Sequence, residues 1–156
     1  MNRWIALGLF LLASFTASAI GGYATFESVR TWYPTLAKPS WNPPAAVFGP
    51  VWTLLYTLMA FAAWRIWLRR ELAGARPALR WFFVSLALNA LWSVLFFGLH
   101  RPGLALLEVV LFWGTLVLVQ LRFARLDRVA GWLWAPYVAW VSFATVLNAA
   151  IWRLNP

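Results

Sequence analysis

Polar punctuation along this chain is sparse and regularly spaced. Residues 4–26, 39–64, 81–99 and 129–152 carry no charge, and residues 102–121 carry only Glu108. Each stretch holds at least 19 residues. About 20 residues at 1.5 Å rise cross roughly 30 Å of hydrocarbon as a helix. Apolar and polar positions do not alternate within the stretches, so strands of a closed barrel are not indicated. The pattern predicts helices over about 4–25, 46–68, 79–98, 103–124 and 130–152. The fold class is all-α integral membrane, a five-transmembrane-helix bundle forming a single domain over 1–156. Connections after the second, third and fourth helices are short, which forces antiparallel neighbours. No internal repeat is visible, which argues against the duplicated halves of many secondary transporters.

Composition sharpens this picture. Hydrophobic residues make up 63% of the chain and charged residues 11%, against roughly 45–50% and about 25% in soluble domains. A chain of 156 residues cannot hide five wholly apolar helices inside a polar shell. The net charge of +9 is not a nucleic-acid signal, because the basic residues sit at the ends of the spans. One side holds Arg3, Arg65, Arg69, Arg70, Arg76, Arg80, Arg122, Arg125 and Arg128; the other holds Arg30, Lys38, Arg101 and Arg153. The positive-inside rule then places the N-terminus in the cytoplasm and the C-terminus outside. Arg3, an apolar run and Ala17-Ser18-Ala19 imitate a signal peptide, but the run continues to Phe26 and is long enough to span. Ala13, Ala17 and Gly21 share one face, and Ser14, Ser18 and Gly22 another, as close helix packing in lipid requires.

The segment 26–45 is stiff and aromatic. Thr31-Trp32-Tyr33-Pro34 precedes Lys38-Pro39-Ser40-Trp41-Asn42-Pro43-Pro44, and four prolines hold the chain extended. The expectation is a lid packed over one end of the bundle, with Pro43 or Pro44 opening the second helix.

Few residues are equipped for chemistry. Cysteine is absent and His100 is the one histidine, so thiol catalysis, cysteine metal sites and a haem with two histidine ligands are excluded within one chain. The acids Glu27, Glu71, Glu108 and Asp127 form no paired arrangement by spacing. No metal site and no resident cofactor are expected. Glu108, inside a span, reads equally as a functional group or as a structural hydrogen bond near a helix end.

Tryptophan is the anomaly, at 13 residues. Interfacial belts account for some of these, but not for those at midspan. Trp52 and Tyr56 share a face of the second helix; Asn89, Trp92 and Phe96 share one on the third; Trp140, Ala144 and Asn148 share one on the fifth. Asparagine in lipid needs a partner, so Asn89 and Asn148 point inward. Such stripes are either bundle core or the walls of a pocket for a planar, apolar ligand.

These segments also carry a resemblance. Trp32-Tyr33, Lys38 through Pro44, Phe48, Pro50 through Tyr56, Ala87 through Trp92 with Phe96-Phe97-Gly98, Ala105 through Glu108, Pro136-Tyr137, Trp140 and Leu147-Asn148 resemble, in order and spacing, the TspO family of translocator and tryptophan-rich sensory proteins, formerly the peripheral-type benzodiazepine receptors. The resemblance implies a five-helix bundle, commonly a homodimer, that binds porphyrins such as protoporphyrin IX as ligand. By matched position the ligand-binding wall would comprise Trp32, Tyr33, Pro43, Phe48, Trp52, Tyr56, Asn89, Trp92, Phe96, Trp140, Ala144 and Asn148. Porphyrin propionates would meet Lys38 or Arg30. Some bacterial members degrade porphyrin in light, and that activity would map to Trp52 and Trp140, the only catalytic candidates. One departure is Ala149, where eukaryotic members carry the tyrosine of a sterol-recognition pattern, so sterol binding is not expected. A tetrapyrrole-binding sensor in a bacterial cell envelope is the leading expectation. Porphyrin photo-oxidation and porphyrin transport are the alternatives.

Overall fold

A computed structural model describes residues 2–155. Five long helices dominate it: α1 (Arg3–Phe26), α2 (Ala45–Leu68), α3 (Ala75–Ser93), α4 (Pro102–Leu126) and α5 (Arg128–Leu154). All five are long and apolar enough to cross a membrane, and the chain is a multi-pass integral membrane protein.

Local signals set the ends. The Asn2 side chain caps α1 by accepting from the Trp4 N–H at 2.9 Å. Pro102 opens α4, where its missing N–H costs nothing. Asp127 caps α5, accepting from the Val129 and Ala130 N–H groups at 2.9 and 3.4 Å. Gly74, at φ +90°, makes the reversal into α3, a conformation that other L-residues adopt only with strain. Helix α3 begins at Ala75, ahead of the apolar stretch, directly after the Gly74 reversal. Segment 26–45 is likewise not all irregular: a one-turn helix (Ser28–Thr31) extends α1, and a 3-10 turn (Tyr33–Thr35) follows.

The helices form a closed ring in the order α1, α2, α5, α4, α3, with α2 also touching α3 across it. At one end, where α1 begins and α2 ends, the ring is solid. Phe82, Phe123, Trp134, Met59 and Ile66 are completely buried there. Beyond Gly131, α4 and α5 close tightly, and a Cβ added to that glycine would lie 2.8 Å from the Ala124 Cβ. Asp127 ties this end together, accepting from Arg65 Nε at 2.8 Å and from Arg69. Burial opposes its ionisation, but the Arg65 guanidinium and the two backbone N–H donors outweigh that and hold its carboxyl below the usual carboxylate range.

Toward the other end α3 changes character. Val94–Gly98 form a π-helical turn, in which the Leu99 N–H donates to the Val94 carbonyl five residues back at 2.8 Å. Such turns insert an extra residue into a helix. Here the turn brings adjacent Phe96 and Phe97 to the same interior space.

Candidate functional site

That interior space is a cavity of about 610 Å³ at the lid end, within the range of small-molecule pockets. Its walls follow from helical periodicity. Helix α2 contributes Ala45, Phe48, Gly49, Trp52 and Tyr56; α3 contributes Asn89, Trp92 and Phe96; α5 contributes Trp140, Ala144 and Asn148. Tyr33, Asn42 and Pro43 of the lid form the roof. Trp52 and Trp140 meet edge to face, centroids 6.5 Å apart and planes at 88°. Trp92 and Phe96 stack at 5.3 Å.

Two buried asparagines hold these rings in place. Tyr56 Oη donates to Asn89 Oδ1, and Asn89 Nδ2 donates to Tyr137 Oη at 3.0 Å. Trp92 Nε1 donates to Asn148 Oδ1 at 3.0 Å, while Asn148 Nδ2 donates to the Pro102 carbonyl at 2.8 Å. The inward direction required of both asparagines is therefore met by named partners. Each amide locks at least one aromatic side chain, so the walls are fixed by polar bonds that an apolar setting strengthens.

The lid is bound into itself and to the bundle. Tyr33 Oη donates to Asn42 Oδ1 at 2.8 Å. Burial pushes the Tyr33 phenol up, against the lowering effect of that bond. Lys38 Nζ donates to the Tyr33 and Leu36 carbonyls, each at 2.8 Å. The Asn155 side chain pairs with the Ala37 backbone twice, at 3.0 and 2.9 Å, fastening the lid to the end of α5. Lys38 thus lines the cavity as a positive charge held by backbone oxygens. Arg30 instead lies over the Phe26 ring at 4.3 Å and does not reach the cavity.

Eleven of the twelve residues matched from the sequence line this cavity; Trp32 does not. Its ring stacks on His100 at 4.2 Å and sets its edge against Phe96 at 5.7 Å, behind the wall. The reason is local: the one-turn helix after α1 turns Trp32 toward the α3–α4 connection. His100, at φ +54°, also meets Ser28 Oγ through Nε2 at 2.9 Å. Conversely, α1, whose small residues suit close helix packing, also contributes to the cavity wall. Ser18, Gly21, Gly22 and Thr25 of α1 line the cavity. Small residues in a membrane helix usually mark packing faces, so nothing in their spacing marked a pocket wall. Phe97, Phe143 and Leu147 were also missed, although Phe143 and Leu147 fall on the α5 stripe one turn from Trp140 and Ala144.

Glu108 lies elsewhere. It is buried on α4 outside the cavity lining, and neither carboxylate oxygen has a hydrogen-bond partner among the described residues. No three of His, Asp and Glu come together among those residues.

Comparison with known proteins matches the TspO/MBR family model to residues 9–153. The chain is 41% identical to the "Tryptophan-rich sensory protein" of Cereibacter sphaeroides, covering 99% of this chain and 95% of that one. It is 39% identical to the "Tryptophan-rich protein TspO" of Chlorobaculum tepidum, covering 97% and 94%. It is 35% identical to the human "Translocator protein", covering 97% and 91%.

Proposed function

The chain belongs to the TspO/MBR family, and from that premise we propose that this membrane protein, of sensory or regulatory type, holds a porphyrin in the cavity beneath its lid. The observation that carries the reading is the cavity itself: about 610 Å³, walled by flat aromatic faces on three helices, with one cation, Lys38, at the roof. A tetrapyrrole is a broad apolar disc with anionic propionates on one edge. The indoles of Trp52, Trp92 and Trp140 offer faces to the disc, and Lys38 offers charge to the propionates. The test is titration of the purified protein with protoporphyrin IX, read by tryptophan fluorescence. Saturable quenching is expected, and it should fall sharply when Trp52 and Trp140 are both replaced by Phe. Undiminished quenching in that double variant would remove the assignment.

The positive-inside asymmetry supports a cytoplasmic N-terminus in a bacterial envelope, with lid and cavity facing away from the cytoplasm. In a homodimer each protomer would carry one such cavity. The Trp52–Trp140 pair also favours a second reading: both indoles border the cavity 6.5 Å apart, where they would meet a photoexcited ring in the presence of dioxygen. Illumination should then bleach bound porphyrin faster in the wild type than in Trp52→Phe or Trp140→Phe. Equal rates would assign the bleaching to free photochemistry.

A further inference from the structure

The cavity is not equally closed on all sides. Its exposed lining residues are Gly22 of α1, Ala45 and Gly49 of α2, and Pro34 and Pro44 of the lid; those from α3 and α5 are buried or half-buried. The opening is therefore at the α1–α2 side, which in a spanning bundle faces the hydrocarbon.

Side-chain size along the two facing helices explains the gap. On α1, Phe15 reaches the Tyr56 ring of α2, centroids 6.2 Å apart. Seven residues further on, on the same face, stands Gly22. On α2 the stripe runs the opposite way in sequence but the same way in space: Tyr56 and Trp52 below, Gly49 and Ala45 above. Both helices thus change from large to small residues toward the lid. A Cβ added at Gly22 or Gly49 would meet nothing within 4 Å. The upper part of α1 leans instead on α3, where a Cβ on Gly21 would lie 2.9 Å from Ser93 Oγ.

We propose that the ligand enters and leaves sideways through this slot between α1 and α2, directly from the lid-side leaflet, so the ligand class is a flat molecule dissolved in the membrane rather than one taken from water. The inference rests on the cavity being the ligand site. The slot needs no hydrogen bond broken. The roof is fastened to the end of α5 by the Asn155–Ala37 pair, which lifting it would break.

The chain has no cysteine, so one introduced thiol is uniquely addressable. Gly22→Cys, reconstituted in lipid nanodiscs, would be capped with a benzyl methanethiosulfonate and later uncapped with reductant. Protoporphyrin IX is supplied in vesicles, and exchange is followed by tryptophan quenching. Capping should slow both association and dissociation by about tenfold, and reductant should restore both. Slower dissociation is the decisive sign, because mere loss of wall contacts would speed it. Tyr23→Cys, on an exposed neighbouring position, should show no effect when capped. Asn155→Ala, which frees the lid, should leave the rates unchanged. Unaltered rates in capped Gly22→Cys, or faster exchange in Asn155→Ala, would overturn the slot while leaving the cavity assignment intact. Failure of the unmodified protein to bind porphyrin would instead overturn the cavity assignment, and the slot with it.

Discussion

At the arginine-rich end, Phe82 and Phe123 set their edges against Trp134, with centroids 6.0 and 5.3 Å apart, and all three rings are fully buried. At the lid end Trp52, Trp92 and Trp140 are only half-buried, around a space large enough for a ligand. The same residue types build both halves of the same helices. Aromatic packing fills a membrane bundle only when each ring has a partner ring in the ring of helices. In the lid half, Ser18, Gly22, Ala45 and Gly49 stand where those partners would be. The polar groups divide in the same way: Asp127 gathers two arginines at the solid end, whereas Asn89 holds the Tyr56 and Tyr137 rings and Asn148 holds Trp92 at the hollow one.

The strongest way to break this contrast is truncation on each side. Trp134→Ala should cost about 3–5 kcal/mol, because the void it leaves is sealed by surrounding rings. Trp140→Ala should cost well under half of that, since its site already borders open space. Thermal denaturation in detergent compares the two, and equal losses would erase the distinction. Overpacking sharpens it from the opposite direction. A Cβ at Gly131 would lie 2.9 Å from the Ala124 Cα, which cannot yield. Gly131→Val should therefore lose about 1–3 kcal/mol, and Gly49→Val should change stability by no more than roughly 0.5 kcal/mol.

The ionic tie at the solid end gives a pH signature. The Asp127 carboxyl is held below its usual range when folded, so its contribution is fully present above the ordinary carboxylate pKa of about 3.9. It is lost as pH falls through the lower folded value. Melting temperature should drop over that acid window in the wild type. In Asp127→Asn the drop should be smaller, on a baseline lowered by loss of the Arg65 and Arg69 ion pairs, while the Asn side chain still caps α5. The smallest global effect belongs to the lid. Asn155→Ala should leave the melting temperature nearly unchanged while hydrogen exchange quickens across residues 36–40, because the Asn155–Ala37 pair involves one short segment.

Much of this architecture is written locally and is readable. Charges end spans, so five helices follow from punctuation. A period of 3.6 aligns Trp52 with Tyr56, Asn89 with Trp92 and Phe96, and Trp140 with Asn148, and all of these meet in the cavity. What was not readable depends on the path of the chain between elements. Trp32 carries the same composition signal as Tyr33, yet one turn of helix sends it to His100. The part played by α1 was hidden for a different reason: Gly22 acts by what it lacks, and an absent side chain looks the same whether a neighbour fills the space or leaves it open. The π turn at Val94–Gly98 has no marker among its residues beyond the glycine that ends it.

The order of helices around the ring also has a consequence in time. Translation delivers α1 and α2 well before α5, yet α2 and α5 are neighbours that close the ring and face each other across the cavity. Until α5 leaves the ribosome and docks, Trp52 has no Trp140 opposite it and Trp92 has no Asn148 to hold its indole. The cavity therefore forms only once α5 has docked, and a nascent protein stalled before residue 128 would be membrane-inserted without it.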